Sequence, residues 1–148
     1  MNTVIINKVI QQLKLVASDV APVSRARLAA AVVYKNKIIS IGINQDKTHP
    51  WAVKFQKNEH ATSLHAEVDA IKKASYRLSE HELAKSTLIV VRVRTTNEQF
   101  PVKDREVFGI AKPCDGCQSC IDAHKINRVV YTDYCEYEHE VKYTIWEK

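Results

Sequence analysis

The sequence predicts an α/β fold: a three-layer α/β/α sandwich in which a mixed five-stranded sheet carries helices on both faces. Three observations lead there. Short apolar, β-branched runs recur at residues 28–34, 38–43, 87–95 and 128–132. Helical periodicity marks residues 3–18, 64–78 and a segment from Pro113 to about residue 125. From residue 87 onward strand, helix and strand alternate, which implies a right-handed crossover and a largely parallel edge.

Each element follows from local pattern. Val4, Ile5, Val9, Ile10, Leu13 and Val16 recur with helical spacing, giving a first helix that ends before Pro22 and packs on the sheet. The runs 28–34 and 38–43, separated by Lys35-Asn36-Lys37, form a hairpin with a tight polar turn. Residues 44–63 are polar, lack sustained periodicity and contain Pro50, so a long loop is expected to run into the second helix. Leu64, Val68, Ile71 and Ala74 form the inner face of that helix, with Lys72, Lys73 and Arg77 toward solvent. Residues 97–112 mix charged groups with Phe100, Val107 and Phe108, and read equally as a hairpin excursion or an irregular lid. Pro113 suits a first helical turn, and Cys117, Cys120, Ile121 and His124 continue the helix. Val141, Tyr143 and Ile145 alternate as a fifth strand.

Composition bounds the function. The 148 residues, 45% hydrophobic and 26% charged, suffice for one domain over 1–148 with a single core. No stretch approaches the roughly 20 apolar residues of a membrane span, and the first 20 lack a signal peptide's apolar block, so a cytoplasmic protein without membrane contact is expected. Three of the four cysteines crowd into residues 114–120, which favours a metal or redox site over disulfides joining distant loops. The net charge of +5 and pI near 9.0 favour anionic partners, although the basic residues are spread along the whole chain.

The chemistry begins with that cluster. Cys114 and Cys117 lie three apart at a helix start, so both sulfurs can face one point, and the helix dipole there favours thiolates. A structural zinc takes four protein ligands; a catalytic one takes three and keeps a position open. His65 is the candidate third ligand, because His65-Ala66-Glu67 opens the other helix that follows a strand and long loop. Read alone, the two cysteines fit a structural zinc or a redox pair equally well as chemistry, and Glu67 fits a surface acid at a helix start. Cys120 extends the spacing by one turn as a fourth ligand or, more simply, as a buried small hydrophobe.

In ordered combination His65, Glu67, Pro113, Cys114 and Cys117 resemble the signature of the zinc-dependent cytidine and deoxycytidylate deaminase superfamily. The stretch His-Ala-Glu-Val-Asp-Ala-Ile and the later Arg-Val-Val-Tyr at 128–131 are most similar to the deoxycytidylate branch. The resemblance implies a Zn2+ cofactor held by His65, Cys114 and Cys117. It also implies hydrolysis of cytosine to uracil with release of ammonia, through zinc-bound hydroxide and Glu67 as proton shuttle. It further implies a nucleotide or nucleoside substrate, deoxycytidylate first, and a homo-oligomer. Gly42-Ile43-Asn44 is similar to the Gly-x-Asn that ends the second strand in these enzymes, and the substrate contacts expected are Asn44, Ala66, His49 and Arg27. As a bare feature Asn44 is more often a turn residue, and Arg27 more often an ordinary surface arginine.

The chain departs from the branch at Gln45, where glycine is usual, while Asp46 is similar to the glutamate of free-nucleoside deaminases. Lys112 replaces the acid that precedes Pro-Cys in tRNA adenosine deaminases. A deaminase of single-stranded DNA or RNA, motivated by the basic balance and the 97–112 insert, is the alternative reading. A non-catalytic binding module stabilised by zinc is the other, and it requires four protein ligands.

Overall fold

A computed structural model describes residues 1–20, 27–45, 50–55, 64–96, 105–135, 137 and 140–148. Its order is α1 (Thr3–Ser18), β1 (Arg27–Tyr34), β2 (Lys37–Ile43), α2 (Pro50–Phe55), α3 (Ala66–Ser75) and α4 (Glu80–Ala84). Then follow β3 (Thr87–Thr96), β4 (Arg105–Gly109), α5 (Asp115–Ala123), β5 (Arg128–Thr132) and β6 (Tyr143–Glu147). The strands form one mixed sheet ordered β2-β1-β3-β5-β6, with β4 also paired to β3.

The sheet has six strands where the sequence suggests five. The additional one is β4, so the segment left open between hairpin and lid returns as a strand antiparallel to β3. Two strands share one edge of β3: residues 87–90 pair in parallel with β5, and residues 92–96 pair with β4. Among the described residues the β3–β5 pair is the single parallel one, so the expected parallel edge is confined to it, and β6 closes that side antiparallel to β5.

Strand alternation divides the core in two. Ala29, Ala31, Val33, Ile89, Val91, Val93 and Phe108 face α1, which buries Ile6, Val9, Ile10, Leu13 and Ala17 against them. Ala30, Val32, Leu88, Val90 and Val129 face the opposite way, under α3 and α5. Removing a side chain such as Leu13 or Ile71, both fully buried, would cost about 2–5 kcal/mol. Lys35 and Asn36 both have positive φ, 50° and 64°, the backbone of a two-residue turn whose twist matches the hairpin it closes.

Two short helices were not expected. Pro50 opens α2, where the missing N–H costs nothing at a first turn. At α4 the Ser79 side chain accepts from Glu82 N–H while the Glu82 carboxylate accepts from Ser79 N–H, a complete capping box. Among the described residues no helix is long and apolar enough to cross a membrane.

Candidate metal centre and substrate site

The site is built where α3 and α5 begin. His65 and Cys114 are the N-cap residues of these two helices, each with extended backbone, so both side chains project from the last non-helical position toward the same point. His65 Nδ1 lies 3.3 Å from Cys117 Sγ and 3.5 Å from Cys114 Sγ. The three donor atoms all lie within 4.8 Å of one another.

One nitrogen and two sulfurs suit zinc, and a tetrahedron with bonds of about 2.0–2.3 Å has edges of about 3.3–3.8 Å, which the N···S separations match. Among the described residues the cluster offers three donors and no fourth. Cys120 is buried in the core, its Sγ 3.8 Å from His124 Nδ1. The donor count is therefore that of an open site.

Electrostatics in the cluster are set by hydrogen bonding and burial. The Cys117 thiol, and then the His65 ring, hydrogen-bond to the Cys114 sulfur and hold its pKa down to about 3. Donation to Cys114, reinforced by burial, pushes the Cys117 thiol well above its ordinary value. The bond to Cys114 raises the His65 imidazole, against the opposing effect of burial. Glu67, on the first turn of α3, is only 4% exposed, and burial raises its carboxyl above the usual range. Two donors, an anion-favouring sulfur and a buried acid whose carboxyl burial holds above its usual range thus converge at two helix starts.

Asn44 follows β2 and is buried; its Oδ1 accepts Leu28 N–H at 2.8 Å, and its own N–H reaches Leu28 O at 3.4 Å. Gln45 next to it pairs in both directions with Leu64, the residue before His65. Ala66 is fully buried between His65 and Glu67. The structure therefore places Asn44 next to the Gln45–Leu64 bridge that leads into His65, and Ala66 between His65 and Glu67 in the chain.

It does not bring Arg27 to the metal cluster. Alternation turns Arg27 to the α1 face, where Nη1 meets Glu106 Oε1 at 3.0 Å and Ser18 O at 3.3 Å. His49 lies outside the described residues. Trp51, two residues further on, stacks on His124 with ring centroids 5.3 Å apart and planes at 18°, docking α2 on α5.

Two residues within the quoted motifs hold the site together in roles that the sequence does not assign them. Gly42 lies under α3, where a Cβ would collide with Ala66 O and Ala70 N, so only glycine lets the strand approach the helix this closely. Asp69, fully buried, accepts from Ile43 N–H at 3.2 Å, Gln45 Nε2 at 3.1 Å and Lys73 Nζ at 3.0 Å. The available signal was an acid within Val-Asp-Ala-Ile, an otherwise apolar helical stretch.

Residues 4–133 match the family model described as the cytidine and deoxycytidylate deaminase zinc-binding region. No curated protein sequence gives a significant match. Among solved structures, the apo dCMP deaminase of cyanophage S-TIM5 aligns with TM-score 0.59 and 22% identity over 92% of this chain and 88% of that one. The same phage enzyme in complex with dCMP and dUMP aligns with TM-score 0.54 and 20% identity, over 88% and 82% of the two chains. At that identity the likeness is one of fold.

Proposed function

This chain belongs to the cytidine and deoxycytidylate deaminase family, zinc enzymes that hydrolyse an amino group from a base, and we propose that it acts on the cytosine of a free nucleotide, deoxycytidylate first. The products are the uracil nucleotide and ammonia. The observation that carries this reading is the convergence of His65 Nδ1, Cys114 Sγ and Cys117 Sγ within 4.8 Å beside buried Glu67.

His65, Cys114 and Cys117 would hold Zn2+, which when bound supplies Lewis acidity and makes neighbouring water a far stronger acid than in bulk. Glu67 does the proton work. Its buried carboxyl takes one proton from the attacking water and gives it to the ring nitrogen, then takes the second proton of that oxygen and gives it to the amine, which departs as ammonia. Burial favours the protonated form of this group, which suits it to give a proton as well as to take one. Asn44, fixed through Leu28, orients the sugar, and the Ala66 backbone lines the floor between ligand and acid.

An ammonia-release panel with the zinc-loaded protein tests the reading across free bases, nucleosides, mono- and triphosphates and single-stranded oligonucleotides. Deoxycytidylate is expected to lead. Preference for an oligonucleotide would replace this reading with that of a polynucleotide deaminase, and silence across the panel would leave a zinc-stabilised binding module.

A further inference from the structure

We infer that Arg92 is the residue that grips the substrate's 5′-phosphate, an assignment that rests on the deaminase reading above. It begins with strand alternation. On β3, Leu88 and Val90 face α3 and α5, whereas Ile89, Val91 and Val93 face α1. Arg92 therefore continues the face on which the metal cluster stands.

Its neighbours place it within that site. In the ladder Arg92 pairs with Leu28, whose N–H is accepted by Asn44 Oδ1. On the other side Arg92 N–H donates to Thr132 Oγ1, and Thr132 O accepts from Ala111 N–H, three residues before Cys114. Arg92 thus stands between the Asn44 anchor and the segment that delivers Cys114.

The side chain is given room, and its Nε has no hydrogen-bond partner among the described residues. Gly109 is its partner on β4, and a Cβ there would meet Arg92 Cδ at 3.1 Å and Arg94 Cδ at 2.7 Å, so the glycine is the gap across which both arginine stems run. Arg94 continues to the Tyr134 ring, 5.6 Å from its centroid. Arg92 Nε, by contrast, is buried with no hydrogen-bond partner among the described residues. The ion pairs found among them use other cations: Arg27, Lys72, Lys73, Arg128 and Lys148. A buried guanidinium nitrogen without an acceptor is costly, and the planar fork of arginine matches phosphate oxygens in pairs. A nucleoside monophosphate whose base lies at the metal supplies that acceptor.

The test compares wild type with Arg92→Gln and Arg92→Lys, all as zinc-loaded full-length protein. Binding of dUMP and deoxyuridine is measured by calorimetry, and kcat and KM for dCMP and deoxycytidine by ammonia release. For Arg92→Gln the preference for dUMP over deoxyuridine, and the dCMP to deoxycytidine ratio of kcat/KM, should fall about 10- to 100-fold. The loss should lie in KM, and Arg92→Lys should fall between, keeping the charge without the fork. Equal losses on nucleoside and nucleotide, or unchanged ratios, would overturn the assignment. A larger loss on a short oligonucleotide than on dUMP would overturn it in favour of a phosphodiester contact. If wild type released no ammonia from any substrate while Arg92→Gln still lost dUMP affinity, the deaminase reading would fall and the anion site would stand.

Discussion

The carboxylate of Asp69 accepts the backbone N–H of Ile43 at 3.2 Å, tying the last residue of β2 to the helix that begins beside His65. The same carboxylate holds the Gln45 side chain, so Asn44 is clamped on both sides by one buried acid. Asp69→Ala should lower stability by about 1–3 kcal/mol, because a buried donor loses its acceptor. It should also raise the KM for deoxycytidylate. A urea midpoint equal to that of wild type would count against the clamp.

Glu67→Gln keeps the shape of the buried side chain and removes its capacity to take a proton. Turnover should fall about 100- to 10,000-fold while zinc content stays at the wild-type level. Metal analysis beside ammonia release separates the two effects, and undiminished turnover in the zinc-replete variant would remove Glu67 from the chemistry.

In metal-free protein the cysteines should differ sharply in reactivity. Cys114 is exposed and held as a thiolate by its depressed pKa of about 3, whereas burial pushes Cys120 up to about 12 and keeps it a neutral thiol. Iodoacetamide after chelation should label Cys114 first and spare Cys120, and added zinc should protect Cys114. Peptide mass mapping reads the order; early labelling of Cys120 would contradict it.

Glu106 gives a pH signature. The Ser18 hydroxyl, followed by Arg27, lowers its carboxyl below the ordinary value of 4.5. A depressed folded pKa means the contribution is fully present above the unfolded value and is lost as pH falls through the folded one. Glu106→Gln should therefore be slightly less stable than wild type at neutral pH, by less than about 1 kcal/mol for so exposed a pair, with the gap closing in acid. Denaturation midpoints at pH 7 and below pH 4 check this, and a gap that widened in acid would reverse the assignment.

Much of this was legible in the chain. Helix α1 and strands β1, β2, β3 and β5 follow from periodicity and β-branched runs to within a residue. The cluster of His65, Cys114 and Cys117 was visible because each ligand sits at or beside a helix start, a position that spacing marks. Strand β4 was obscured because Arg-Glu-Val-Phe-Gly shows no clean alternation: Val107 and Phe108 are both buried, on opposite faces. Helix α2 was hidden by reading Pro50 as a breaker instead of a first-turn residue, and α4 by overlooking Ser79 and Glu82 as a capping pair. Arg27 is the first residue of a correctly read strand, yet its face is decided by which helices cover which side, and only the tertiary fold settles that. Gly42 and Asp69 depend on a close approach between strand and helix that no local pattern announces.

The shared edge of β3 makes β4 a gauge for the metal. The chain reaches Pro113 and Cys114 directly from β4, whose five residues are registered on β3 from Arg92 opposite Gly109 to Thr96 opposite Arg105. A slip of one residue in that short ladder would shift the downstream backbone by about 3.4 Å and turn every β4 side chain to the other face. That distance is as large as the spacing between donor atoms. Zinc affinity is thus a remote reporter of hairpin register, and mispairing at the insert would first be felt as a lost metal.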